Sequence, residues 1–174
     1  MRNYDQKCLP ITALPVETLL HEADHYWKLD TFEGKKNDNC VLLVMVNRKT
    51  RNLIIKKISR GSESMLEAIR QIYYKYNLII NGLIIDNGSE NALLHLFDQV
   101  NAIYCCQPNY QTDKPSVENV NRLIRYWIPK KTSLDRFSDQ QIKTIEEKIN
   151  SYPRKIFAKD KLMSSNDYQK LLNI

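Results

Sequence analysis

From residue 26 onward the chain sets short apolar runs between polar punctuation. Tyr26–Phe32 reads as a strand, and Cys40–Val46 (CVLLVMV) is a nearly continuous apolar run of strand length. Asn52–Ile58 (NLIIKKI) follows across the polar stretch Asn47-Arg48-Lys49-Thr50, and three such runs with tight connections predict an antiparallel meander. Gly61-Ser62-Glu63-Ser64 supplies a helix start with Ser62 as the candidate N-cap. Met65, Leu66, Ile69, Ile72, Tyr73 and Tyr76 then recur at helical spacing, which predicts an amphipathic helix of about four turns. Leu83-Ile84-Ile85 predicts a short buried strand ending at Asp86, Asn91–Gln99 a second helical stretch, and Ala102–Cys106 another strand. Beyond the polar loop Gln107–Pro115 a helix is expected from Ser116 to about Trp127, stopped by Pro129. Ser138–Asn150 and Asn166–Leu172 complete the helices. Residues 1–24, with Pro10 and Pro15, read as an extended leader with one short helical turn. The order β-β-β-α-β-α-β-α-α describes an α/β domain built on a mixed five-stranded sheet flanked by helices.

Composition narrows the class. At 174 residues and 43% hydrophobic, the chain can bury a core, and no apolar run has the length to span a bilayer. The net charge of +6 is not spread evenly: residues 119–174 hold twelve Lys and Arg against six Asp and Glu, while the first 118 are neutral. A one-sided basic segment favours a polyanionic partner. The cysteines Cys8, Cys40, Cys105 and Cys106 form no metal-ligand spacing, and adjacent Cys105 and Cys106 are poor partners for each other, so reduced thiols in an intracellular protein are expected.

Three carboxylates stand at comparable places. Asp30 lies in the first strand, Asp86 ends the fourth before Asn87-Gly88, and Glu118 falls in the first turn expected for the helix from Ser116. Strand ends and helix starts of an α/β sheet converge on one edge. Converging carboxylates need cations, and oxygen-only ligands suit Mg²⁺ or Mn²⁺; two such ions can activate a water or hydroxyl and stabilise the leaving oxygen of a phosphodiester. Glu118, Arg122 and Arg125 share one helix face, opposite an apolar stripe of Val120, Leu123, Ile124 and Trp127. That face suits a phosphate backbone beside metal, or a surface ion pair of Glu118 with Arg122. Ser89 and Ser116 have no His arranged as a base, which disfavours serine nucleophile chemistry. Tyr104 and Tyr110 flank the loop before Glu118; core packing is expected for Tyr104, and stacking on an unpaired base is open to Tyr110.

Five motifs in order resemble the Asp-Asp-Glu transposases of the insertion sequence 30 family. They are Tyr26-Trp27-Lys28-Leu29-Asp30-Thr31-Phe32-Glu33-Gly34-Lys35-Lys36, the basic hairpin Asn47-Arg48-Lys49-Thr50-Arg51, and Ile84-Ile85-Asp86-Asn87-Gly88-Ser89-Glu90. The helix Glu118-Asn119-Val120-Asn121-Arg122-Leu123-Ile124-Arg125-Tyr126-Trp127 with Ile128-Pro129-Lys130 is the fourth, and Asn150-Ser151-Tyr152-Pro153-Arg154-Lys155 the fifth. The resemblance covers about residues 25–160 and departs from the family at Lys114-Pro115, where an Arg-Gly or similar pair is usual.

The resemblance implies a ribonuclease H-like fold with residues 25–160 as the catalytic core, 1–24 as a leader and 161–174 as a helical tail. It implies Asp30, Asp86 and Glu118 as catalytic residues holding two Mg²⁺ or Mn²⁺ ions when DNA is bound. DNA-contacting residues would be Arg48, Lys49, Arg51, Asn119, Arg122, Arg125, Lys130, Lys131, Arg154 and Lys155. The expected activity is cleavage at transposon ends and strand transfer into target DNA, by a homodimer or higher oligomer in the cytoplasm, associated with the nucleoid and not with a membrane. The stretch before Tyr26 is too short for the family's end-reading helix-turn-helix region, so a truncated form, a fragment encoded alone, or a catalytic subunit that needs help is expected. Two other readings fit the residues: a non-catalytic DNA-binding or assembly remnant, and a general ribonuclease H-like nuclease.

Overall fold

The computed structural model describes residues 8–19, 24–106, 114–154 and 163–172, with backbone alone at 18–19 and 114–118. Its strands are β1 (Leu9–Pro10), β2 (Tyr26–Phe32), β3 (Cys40–Asn47), β4 (Leu53–Ser59), β5 (Gly82–Ile85) and β6 (Ala102–Cys105). The helices are α1 (Val16–Leu19), α2 (Ser62–Tyr76), α3 (Lys114–Trp127), α4 (Asp139–Ser151) and α5 (Ser165–Leu171). The sheet runs β1-β6-β5-β2-β3-β4. The meander β2-β3-β4 is antiparallel, and β5, β6 and β1 continue from β2 in parallel.

All eight residues of β3 are buried, so both faces of the sheet must be covered. On one face Leu29, Leu43, Met45 and Ile54 pack under Met65, Ile69 and Ile72 of α2. On the other, Phe32, Leu42, Val44 and Ile55 pack under Val120, Ile124 and Ile128 from α3 and its end, and under Ile142, Ile145 and Ile149 of α4. Ser138 caps α4 through a complete capping box with Gln141, a device worth about 1 kcal/mol.

β4 is an edge strand, and α4 closes it with side chains. The Asn150 carboxamide accepts from Leu53 N–H and donates to Leu53 C=O, both at 2.8 Å, as a neighbouring strand would. One turn earlier, buried Glu146 accepts Ile55 N–H at 2.7 Å with one oxygen and meets Lys143 with the other. The first half of the open edge thereby has its N–H of Leu53 and Ile55 and its C=O of Leu53 paired, which blunts its recruitment of other strands. The β2–β3 connection is tied down similarly. Buried Asp38 accepts from the backbone of Leu134 and Lys35 and from the Ser133 hydroxyl, at 2.7–2.9 Å, which anchors the segment after α3. Those bonds, that of Leu134 foremost, hold its carboxyl below the usual range.

Several expectations are corrected. The sheet has six strands, because the expected leader contributes β1, which pairs with β6 while Ile11 and Leu14 bury against Ile84 and Tyr104. Cys8 and Cys105 form a disulfide, leaving Cys40 and Cys106 free; pairing across β1 and β6, not between neighbours, satisfies the geometry. Residues 91–99 do not form one helix: Ser89–Asn91 and Leu94–Leu96 are separate 3-10 turns, sufficient to bury Leu94 and Phe97. Ser62 is the first residue of α2, preceded by Gly61 at φ 118°. Trp127 is 38% exposed and Ile128 takes its place in the core at 0%. Among the described residues, no helix is long and apolar enough to cross a membrane.

Replacing Asn150 by Ala strands the N–H and C=O of buried Leu53 together. The expected cost is about 2–4 kcal/mol in urea unfolding, with Asn150→Asp failing to restore it because a carboxylate cannot donate to the carbonyl.

Candidate active site

β2 alternates faces, so Leu29 points to the α2 side and Asp30 joins Phe32 on the side covered by α3. The parallel register Lys28↔Ile84, carried on by two residues, sets Asp86 beside Asp30 at the carboxyl end of β5. Asp30 is half-buried. Its Oδ1 accepts Thr31 N–H at 2.8 Å, and its Oδ2 accepts the Asn121 Nδ2 at 2.8 Å from α3. Asp86 is exposed, its Oδ1 accepting Gly88 N–H at 3.0 Å and Asn91 Nδ2 at 2.7 Å. Thr31 Oγ1 also donates to Glu90 Oε1 at 3.4 Å, so a third described carboxylate faces this strand end. Gly88 makes room for it: a Cβ there would lie 2.5 Å from the Glu90 carboxylate.

Burial raises the Asp30 carboxyl above its ordinary range. Hydrogen bonds from Asn121 and Thr31 pull it down, and the charge of Asp86 pushes it further up. The buried Asn121 Oδ1 has no hydrogen-bond partner. A repelling carboxylate pair beside an unpaired acceptor is a donor set that fits a divalent cation with its water. Among the described residues no three His, Cys, Asp or Glu side chains converge on a metal position. The Glu118 side chain lies outside the described residues. Its backbone is in the second turn of α3, since the helix begins at Lys114 rather than near Ser116.

The basic candidates separate into three groups. Asn119, Arg122, Lys130 and Lys131 are exposed along α3 and the turn after it, with Arg122 donating to Asn119 Oδ1 at 3.2 Å. Arg125 is half-buried, its guanidinium 3.9 Å from the Phe32 ring centroid and donating to Glu33 C=O at 2.7 Å; burial lowers its pKa. The hairpin Arg48, Lys49 and Arg51 lies at the other end of β2 from Asp30. There Arg48 is 2% exposed and Lys49 pairs with Asp24 at 2.7 Å, so Arg48 offers no surface to DNA. Arg154 is half-buried, donating to Ile149 C=O at 3.0 Å and bridging to Met163; Lys155 and Tyr110 lie outside the described residues. Tyr104 is in the core. Sequence reasoning missed Asn121 as the partner of Asp30 and Glu90 as the partner of Thr31. Both stand inside quoted motifs, which was the available signal.

The relatives found for this chain include several transposases and a putative integrase of Spiroplasma virus SpV1-R8A2 B. The chain is 33% identical over 132 residues to the transposase for insertion sequence element IS4351 of Bacteroides fragilis, covering 74% of this chain and 40% of that one. It is 30% identical over 135 residues to transposase InsI for insertion sequence element IS30A of Escherichia coli K12, covering 75% and 34%. The chain thus spans well under half the length of these relatives. No family model matches it. The catalytic core domain of BIV integrase superposes with a TM-score of 0.58, covering 87% of this chain and 97% of that one at 16% identity, which establishes the ribonuclease H-like fold.

The shift at Asp30 has a sign that can be tested. A carboxyl raised by burial destabilises the fold when ionised, fully above its folded pKa and not at all below the unfolded value of 3.8. Asp30→Asn, with the Asn121 amide turned to accept from it, should therefore unfold at higher urea than the parent at pH 7 in chelated buffer. The gap should close as pH falls toward 3.8.

Proposed function

We propose that this chain, a relative of the insertion sequence 30 transposases with the fold of an integrase catalytic core, is the catalytic domain of a DNA transposase. The observation that carries the reading is the hydrogen bond from Asn121 to Asp30. That bond ties α3, the helix bearing Glu118, to β2, whose parallel neighbour β5 leads into Asp86, and this supports reading the three acidic positions as one site.

Asp30, Asp86 and Glu118 would hold Mg²⁺ or Mn²⁺, two ions when DNA is present, and bound metal would supply Lewis-acid stabilisation of the attacking and leaving oxygens. The residues of the chain do the rest. Asn121 fixes the Asp30 carboxylate in one orientation, and Asn91 and the Gly88 N–H fix that of Asp86. Arg122, Lys130 and Lys131 are exposed and free to take backbone phosphates, whereas Arg125 is committed to Phe32 and Glu33 and serves to seat α3. Water attacking an end phosphodiester expels a 3′-hydroxyl, and in-line attack by that hydroxyl on a phosphodiester of a second duplex forms the new P–O bond as the second strand's own 3′-oxygen leaves, without a covalent enzyme intermediate. Because two ends must be joined, a homodimer or larger assembly acts, at the nucleoid in the cytoplasm. The catalytic domain is read as residues 25–160, with β1 and α5 packed on its flanks.

The test is nicking of supercoiled plasmid with Mn²⁺ or Mg²⁺. Asp30→Asn, Asp86→Asn and Glu118→Gln should each slow it by about 100-fold or more while leaving circular dichroism unchanged. Nicking that survives these changes would overturn the assignment. Salt-sensitive DNA binding with no cleavage under either metal would return the non-catalytic reading.

A further inference from the structure

The last turn of α3 exposes aromatic surface that the fold does not use. Tyr126 is 80% exposed, and its ring meets the Trp127 indole edge-on, at 5.4 Å between centroids and 84° between planes. Across from it, Lys148 of α4 places Nζ 4.5 Å from the indole centroid. The indole thus touches both the Tyr126 ring and the Lys148 ammonium, while most of Tyr126 stands in solvent. Tyr126 and the 38% exposed Trp127 together leave contiguous aromatic surface open to solvent, the kind of patch that marks an interaction site.

The surroundings identify the occupant by charge. Tyr126 follows Arg122 by one helical turn and precedes Lys130, both exposed, and these residues belong to the segment that carries the whole basic excess of the chain. An aromatic face flanked along one track by cations matches a nucleic-acid strand, whose bases stack on rings while its phosphates meet ammonium and guanidinium groups. A duplex keeps its bases stacked internally, so the ring selects an unpaired base.

We propose that Tyr126, backed by Trp127 and Lys148, is a stacking site for an unpaired DNA base beside the cleaved strand. The proposal rests on the DNA-processing reading above and adds a specific substrate feature to it. Eight residues separate Glu118 from Tyr126, about 12 Å along the helix axis, so the stacked base lies roughly two to four nucleotides from the phosphate at the acidic site. This requires single-stranded character next to the cut, which neither the acidic residues nor the lysines specify.

Trp127 provides the probe. The only other tryptophan, Trp27, is buried at 5% exposure and should not respond. In chelated buffer, a duplex with a four-nucleotide single-stranded tail should quench Trp127 fluorescence, and a blunt duplex of equal phosphate count should not. Tyr126→Ala should weaken binding of the tailed duplex by roughly 5- to 100-fold and leave the blunt duplex unaffected, while Tyr126→Phe should bind as the parent does. Equal binding of both duplexes by parent and Tyr126→Ala would overturn the proposal. So would a concentration-dependent dimer that Tyr126→Ala abolishes, since the ring would then be an interface between copies. Tail-dependent quenching by a protein that nicks no plasmid would uphold the stacking site and reject the transposase reading. Normal nicking with no tail preference would do the reverse.

Discussion

The structure depends on one buried strand. With every residue of β3 inside, neither face of the sheet can meet water, and helices must be supplied to both. The helix that follows the meander, α2, takes one side. The other side receives α3 and α4, and their seat is fixed by Phe32, Val44 and Ile55 below them. Asp30 shares that face, in register with Val44 and through it with Ile55. A helix packed there for hydrophobic reasons therefore arrives over a carboxylate, and Asn121 is the residue that makes the arrival specific. The site is in this sense a by-product of covering β3, refined by a single amide.

Polar groups do much of the closing. Asn150 and Glu146 act as a short surrogate strand along β4, and Asp38 gathers the turn after α3. Each is a buried polar side chain that accepts from a backbone N–H more than 90 residues away. Such links are expensive to break because the abandoned N–H or C=O has no water to turn to. They also explain why the carboxy-terminal motif includes an Asn: in this chain its role is to finish the sheet, at a distance from the acidic pair.

Much of this was legible in the sequence, for identifiable reasons. The meander and α2 announce themselves because their apolar periodicity is strong and their partners are nearby in the chain. β1 does not, since two residues ending in a proline have no periodicity, and its place comes from β6 and the Cys8–Cys105 bond. Spacing alone puts Trp127 in the core; the smaller Ile128 fills the position, and the indole is turned out to Lys148. Charge misled in a similar way. Arg48 and Arg154 look like DNA contacts in a basic motif, yet the fold draws them in, and only packing could reveal it. The pairing of Asp30 with Asn121 spans 91 positions and leaves no local trace.

The Cys8–Cys105 bond divides the molecule in a way that bears on force. It closes a ring across 97 positions that includes both Asp30 and Asp86, while α3, α4 and α5 hang outside it. Tension applied at the two ends of the chain would run from Cys8 to Cys105 through the sulfurs, bypassing the meander and β5. The load would fall first on the helices covering one face. The strands leading to Asp30 and Asp86 would stay shielded from that load inside the disulfide ring.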